Sequence, residues 1–123
     1  MYNNKKVLIA GGTGTIGVPL VKMLLDKGAH VKVVSMDTPE YARLVLGDIH
    51  FERLDLTQQT NCLKACRGMD YVFNLVGIKG SVGIGETKVA SYFIPMLRFQ
   101  TELMDAAFRS DVSGYMFVSS VCI

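Results

Sequence analysis

The stretch Val7-Leu8-Ile9-Ala10-Gly11-Gly12-Thr13-Gly14-Thr15-Ile16-Gly17 decides how this chain is read. Four consecutive apolar residues predict a buried strand, and the amphipathic pattern that begins at Ile16 predicts a helix. Between them stands a loop with glycines at positions 11, 14 and 17. The order strand, glycine loop, helix is what distinguishes a dinucleotide site from a plain glycine-rich turn. Gly11 is expected to permit the tight exit from the strand, Gly14 to let the backbone approach a pyrophosphate, and Gly17 to let the helix pack closely on the sheet. Free N–H groups at the helix start, around Thr15 and Ile16, then face the phosphates.

Outward from this loop the apolar periodicity alternates between strand-like and helix-like. Strands are predicted at 6–10, 30–35, 49–54, 71–76 and 114–119, with helices at 16–27, 39–44, 58–66 and 89–109. Consecutive β-α units of this kind build a parallel sheet. The expected fold class is therefore α/β, a Rossmann-type parallel sheet of about five strands with helices on both faces, forming one domain over residues 1–123. Lys27-Gly28 supplies a stop signal for the first helix. Pro95 interrupts the last helical pattern, so its regular part is expected to begin near Pro95 or to kink there. The glycine-rich segment 77–85 leaves the carboxyl end of the fourth strand, where open parallel sheets bind ligands, and is expected to line a substrate pocket.

Composition narrows the function classes. Half of the 123 residues are hydrophobic and mean hydropathy is +0.30, which excludes a disordered chain. A net charge of +2, with Lys and Arg dispersed, offers no patch for nucleic acid. The apolar run before the glycines is too short for a signal-peptide core or a membrane span, so a cytoplasmic location is expected. Cys62, Cys66 and Cys122 form neither an even disulfide framework nor a zinc spacing, and no metal site is expected. Cys62 and Cys66, four apart on a predicted helix, read as small buried thiols. His30 and His50 have no matched partner and receive no role.

In a dinucleotide site an acid ending the second strand binds the adenosine ribose. Here that strand runs out at Ser35, and Asp37 follows two residues later. Ser35 with Arg43 would accept a 2′-phosphate and favour NADP, the choice the sequence leans to; Asp37 would reach a ribose and favour NAD. Asp55-Leu56 after the third strand and Asn74-Leu75-Val76-Gly77 after the fourth also have structural readings, Asp55 as a helix cap and Asn74 in a turn.

Taken in order, Gly11 to Gly17, Asp55-Leu56, Asn74-Leu75 and Val118-Ser119-Ser120 resemble the extended short-chain dehydrogenase/reductase superfamily, specifically its nucleotide-sugar epimerases and dehydratases. The stretches Leu54-Asp55-Leu56, Val72-Phe73-Asn74-Leu75, Asp105-Ala106-Ala107 and Ser119 to Ile123 are most similar to its GDP-mannose epimerase and GDP-L-fucose synthase branch. The resemblance implies that Gly11, Gly14 and Gly17 hold the pyrophosphate of NAD or NADP. It also implies that Asp55 and Leu56 contact the adenine, and that Leu75, Val76 and Gly77 line the ribose and nicotinamide side. By the same resemblance Ser120 hydrogen-bonds the sugar oxygen that becomes a ketone, and Cys122 is the acid or base at the neighbouring carbon. The implied reaction removes a hydride to NAD(P)+, exchanges the acidified C–H proton and returns the hydride, on a nucleotide sugar of which GDP-sugars are favoured. A thiol suits that proton exchange, since its ordinary pKa of about 8.5 needs little tuning.

The sequence departs from the family after Ser120, because no Tyr-x-x-x-Lys pair follows it within residues 1–123. The expectation is a cofactor-binding portion truncated before the sixth strand and the substrate domain, either a fragment or a chain that associates to cover its fifth strand. Tyr115, Phe117 and Val118 would lose their cover. The last helix is also expected to offer Met96, Leu97, Leu103, Met104 and Phe108 to a homodimer contact or to the sheet. The reading from a different class is a noncatalytic dinucleotide-binding or interaction module.

Overall fold

The structure is a computed structural model that describes residues 2–76 and 89–118. Its elements in chain order are β1 (Lys6–Ala10), α1 (Gly17–Asp26), β2 (His30–Ser35), α2 (Pro39–Leu46), β3 (His50–Arg53), α3 (Gln59–Cys66), β4 (Tyr71–Asn74), α4 (Val89–Arg109) and β5 (Gly114–Phe117). All neighbouring strands are parallel, in the order β3-β2-β1-β4-β5. The chain steps outward from β1 to β3, then crosses back to the other side of β1 for β4. The switch point therefore lies between β1 and β4, and ligands of such sheets bind outside the strand ends there.

The two faces of the sheet follow from side-chain alternation. Val7 and Ile9 of β1, Val31 and Val33 of β2 and Phe73 of β4 pack with Val21 and Leu24 of α1. Leu8, Ala10, Val34 and Val72 pack on the other face with Cys62, Ala65 and Cys66 of α3 and Phe99, Leu103, Ala106 and Ala107 of α4. Because β1 is covered on both sides, it is apolar without alternation from Val7 to Ala10, as buried parallel strands are. Both buried thiols fit this core, and burial pushes Cys62 up to about 12 and Cys66 to about 11. Neither is a reactive thiolate.

Element boundaries differ from the sequence reading where side chains or glycines intervene. Ile16 and Lys27 cap α1 rather than belong to it, and Gly28, at φ +83°, ends it as expected. β4 stops at Asn74 because the Val76 N–H turns back to Asn74 Oδ1, 3.1 Å away, instead of joining the ladder. The last helix spans 89–109 as expected, but its regular part is not confined to the stretch from Pro95 on: α4 is helical from Val89 through that position. An interior proline costs about 3 kcal/mol, and the helix offsets it by burying Phe99, Leu103, Ala106 and Ala107. Among the described residues, no helix is long and apolar enough to cross a membrane.

One polar feature of the core carried no sequence signal. Lys32 sits in the middle of β2, with its side chain 10% exposed, and its Nζ lies 2.9 Å from Glu52 on β3. Lys64 of α3 closes on the same carboxylate at 3.4 Å. The Lys32 hydrogen bond, with Lys64 adding to it, holds the Glu52 carboxyl below its ordinary range. A lowered folded pKa stabilises the fold above the unfolded value and loses that stabilisation as pH falls through the folded one. Glu52→Gln should therefore cost about 1 kcal/mol at pH 7, after allowing for solvent screening. In thermal melts across pH, the gap between the two proteins should close below about pH 4.

Candidate dinucleotide site

The glycine loop leaves β1 and immediately meets the end of β4. Gly11 has φ +81°, a left-handed conformation, and a Cβ added there would lie 2.9 Å from the carbonyl carbon and oxygen of Leu75. Its N–H donates to Val34 O at 2.8 Å, and the Leu75 N–H donates to Ala10 O at 2.8 Å. The carboxyl ends of β2, β1 and β4 are thus tied together beneath the loop. Gly17 is constrained as severely: a Cβ would sit 2.5 Å from Gly12 Cα. The expectation that Gly17 packs the helix on the sheet is corrected here, since its close neighbour is the loop backbone. Gly12, which the sequence reading passed over, is the residue that meets the sheet, where a Cβ would press on Val33 at 2.8 Å. Only the sheet register reveals that contact.

Gly14 is different. A Cβ there would find just Gly11 O, at 3.6 Å, so nothing in the fold demands a glycine. The position borders a cleft of about 190 Å³ lined by Gly11, Gly14, Thr15, Ile16, Gly17, Leu75 and Val118. Into this cleft opens the N-terminus of α1, whose N-cap Ile16 makes no side-chain cap and whose first turn holds no acid. Among the described residues, no backbone carbonyl accepts the N–H of Thr15, Ile16 or Gly17. Uncapped amides, a positive dipole end and a backbone stripped of Cβ atoms form an anion cradle. The residues present therefore fit a pyrophosphate.

At the adjoining end of β2, the structure brings Ser35 and Asp37 together with Thr13 of the loop. Thr13 Oγ1 hydrogen-bonds Asp37 Oδ2 and lies 3.3 Å from Ser35 Oγ, which accepts the Asp37 N–H at 3.1 Å. Thr13 was also absent from the sequence reading, because the pairing spans two elements. Asp55 lies past β3, exposed, and its carboxylate accepts from the backbone and hydroxyl of Thr57 at 3.0 and 2.7 Å. It does not cap α3, whose N-cap is Gln58. Leu56 is buried in the core, and its carbonyl accepts from the Cys62 thiol at 3.1 Å. Asn74 is fully buried and joins α4 and β5, donating to Gln100 Oε1 at 3.3 Å and Tyr115 Oη at 3.0 Å. That bond corrects the expectation for Tyr115, which stays half-buried; Phe117 and Val118 are exposed as expected. Gly77, the segment 77–85, Ser120 and Cys122 lie outside the described residues.

Residues 7–123 match the family described as "NAD dependent epimerase/dehydratase family". The chain belongs to this family. Among relatives in it, GDP-mannose 3,5-epimerase of Arabidopsis thaliana is 29% identical over 98% of this chain and 32% of its own length. GDP-mannose 3,5-epimerase 1 of Oryza sativa subsp. japonica is 28% identical over 96% of this chain and 31% of its own. The chain thus spans about a third of the length of these curated relatives. Among solved structures, Pen from Bacillus thuringiensis superposes with a TM-score of 0.86 at 26% identity, covering 97% of this chain and 38% of that one. UDP-glucose-4-epimerase from Stenotrophomonas maltophila, solved with bound NAD and formylated UDP-arabinopyranose, shares the fold with a TM-score of 0.83 at 22% identity, over 98% of this chain and 38% of that one.

The family's Tyr-x-x-x-Lys spacing does occur once, at Tyr2 and Lys6, but ahead of the glycine loop. Tyr2 packs edge-on against Tyr71, ring centroids 5.2 Å apart, at the amino end of β4. The cleft is at the opposite end of the strands, so this pair stands away from it, with Lys6 exposed. The glycine geometry separates folding from binding. Gly17→Ala should destabilise the protein by about 2 kcal/mol or more, through a backbone clash. Gly14→Ala should keep its melting temperature and lose at least about tenfold in dinucleotide affinity; calorimetry on the pair checks both.

Proposed function

We propose that this chain is the cofactor-binding portion of an NAD(P)-dependent nucleotide-sugar epimerase or dehydratase. The observation that carries this reading is the cleft at the β1/β4 switch point, where Gly14 and the uncapped start of α1 line a space that the fold itself leaves open. Gly11, Gly14, Thr15, Ile16 and Gly17 would hold the pyrophosphate, Ser35 and Asp37 would face the adenosine ribose, and Asp55 and Leu56 the adenine. Leu75, Val76 and Gly77 would line the nicotinamide side. A nicotinamide dinucleotide bound there supplies reversible hydride transfer. Ser120 would hold the sugar oxygen, and Cys122 would exchange a proton at the neighbouring carbon. GDP-sugars are the favoured substrates, in keeping with the similarity to GDP-mannose 3,5-epimerases. The 123-residue chain alone is expected to bind the dinucleotide in calorimetry and to leave GDP-mannose unepimerised. Turnover by the purified chain would contradict its assignment as a cofactor portion, and failure to bind would remove the dinucleotide reading.

A noncatalytic dinucleotide-binding module is the second reading, supported by the same cleft at Gly14 and the start of α1, where a dinucleotide would sit without calling on a sugar. It predicts binding without any sugar-dependent change in that binding, whereas the enzymatic reading predicts that the complete protein turns over a nucleotide sugar.

A homodimer through α4 also belongs to this reading. Leu97, Met104 and Phe108 are exposed, Phe108 at 81%, while Leu103 is fully buried in the sheet core. Leu103 thus takes the second of its two expected places, the sheet, and the Met96 side chain lies outside the described residues. Ile94 extends the exposed stripe, whose successive spacings of three, seven and four follow the seam of a helix pair. Phe108→Asp should leave the melting temperature nearly unchanged and convert the dimer to monomer in sedimentation. A wild-type monomer at high concentration would exclude the contact.

A further inference from the structure

The amide of Asn74 stands behind one wall of the cleft, and its partners explain how that wall is held. Asn74 ends β4 and is 1% exposed. Its Oδ1 accepts the Val76 N–H at 3.1 Å, and because a backbone N–H only donates, the amide has a single permitted orientation. Turned over, it would set a donor against a donor. Both Nδ2 protons are thereby aimed away from Val76. Gln100 Oε1 of α4 accepts one at 3.3 Å, and Tyr115 Oη of β5 accepts the other at 3.0 Å. Burial pushes the Tyr115 phenol above its ordinary range, against the opposing pull of the Asn74 hydrogen bond, so it is an uncharged acceptor at neutral pH.

Asn74 reaches the cleft by two routes. Leu75, which lines it, lies between Asn74 and Val76, and the bond from the Val76 N–H to Asn74 Oδ1 fixes how that peptide turns out of the ladder. The Asn74 main-chain carbonyl also accepts the Val118 N–H at 3.3 Å, and Val118 lines the cleft as well. Neither Gln100 nor Tyr115 is among the described residues that line it. An apolar side chain in place of either acceptor would leave a buried amide proton unpaired and release Asn74 from Val76. The anion cradle on the opposite wall is set by the packing of Gly12 and Gly17 and does not call on this amide.

On the dinucleotide reading above, we propose that Gln100 and Tyr115 are positioning residues for the nicotinamide half of the ligand: by accepting both Asn74 amide protons they lock its carbonyl on the Val76 N–H, which holds the ledge of Leu75 and Val76 against which that half lies. The site then has two parts. The adenosine and pyrophosphate part is indifferent to these two residues, and the nicotinamide part requires them.

Calorimetric titration with NAD and with ADP, which carries the adenosine and pyrophosphate alone, separates the two parts in wild type, Tyr115→Phe, Gln100→Leu and Gln100→Glu. Tyr115→Phe and Gln100→Leu should each weaken NAD by about five- to tenfold and leave ADP within about twofold. Gln100→Glu keeps an acceptor and should hold both nucleotides within about twofold of wild type. Without any nucleotide, hydrogen exchange followed by NMR should show the Val76 N–H at least about tenfold less protected in Tyr115→Phe and Gln100→Leu, with the Leu75 N–H, bonded to Ala10 O, unchanged. NAD and ADP weakening together, NAD binding unchanged in Tyr115→Phe, or unchanged exchange at Val76 would each overturn the proposal. If Tyr115→Phe does not fold, Gln100→Leu decides by the same readings. Wild type that binds neither nucleotide removes the dinucleotide reading instead, and exchange at Val76 still judges the part played by the two acceptors.

Discussion

The contact between Gly17 at the start of α1 and the backbone of Gly12 is the constraint on which the rest of the site depends. With a Cβ at Gly17 only 2.5 Å from Gly12 Cα, no side chain fits between helix and loop. Gly12 itself is pressed onto Val33 of β2, so the start of α1 is seated directly over the sheet. The same compression brings the uncapped amides of α1 to the end of β1. Gly11 turns the chain against the Leu75 carbonyl, which sets the other wall of the cleft. Three glycines thus serve packing, and the fourth, Gly14, is left over for a ligand. That division of labour gives the loop a meaning its spacing alone does not carry.

Polar groups near the cleft show a second regularity: each is satisfied within the protein and thereby oriented. Asn74 spends its amide on Gln100, Tyr115 and the Val76 N–H, which stops β4 and shapes the ledge at Leu75 and Val76. Asp55 is held by Thr57, and Asp37 by Thr13. None of the buried described side-chain nitrogens or oxygens lacks a partner. A buried polar group without one costs about 1–3 kcal/mol, so such networks fix geometry as well as stability. Glu52 plays the same part away from the cleft, since it is what permits Lys32 to lie in the core.

Most of the architecture was legible in the residues. Val7 to Ala10, Val31 to Val34 and the pattern of α1 and α3 announce their elements because burial on both faces of a parallel sheet leaves little freedom in composition. Misreadings cluster where local preference met tertiary packing. Pro95 argues for a helix start, yet the helix holds because its later turns are buried on α3 and the sheet. Leu103 and Phe108 look equally apolar in sequence, and only the rotation of α4 against α3 tells that one is core and the other surface.

By itself, then, the sequence determined the order of strands and helices, the glycine loop and the family resemblance, because periodicity and glycine placement are local properties. Tertiary structure alone decided the partnership of Thr13 with Ser35 and Asp37, the role of Gly12 and the burial of Lys32. Each joins residues on different elements, and their meeting is set by the register of β1, β2 and β3, which no local pattern encodes. The hydrogen bonds that tie the glycine loop to the end of β2 exist only once those three residues have been brought together.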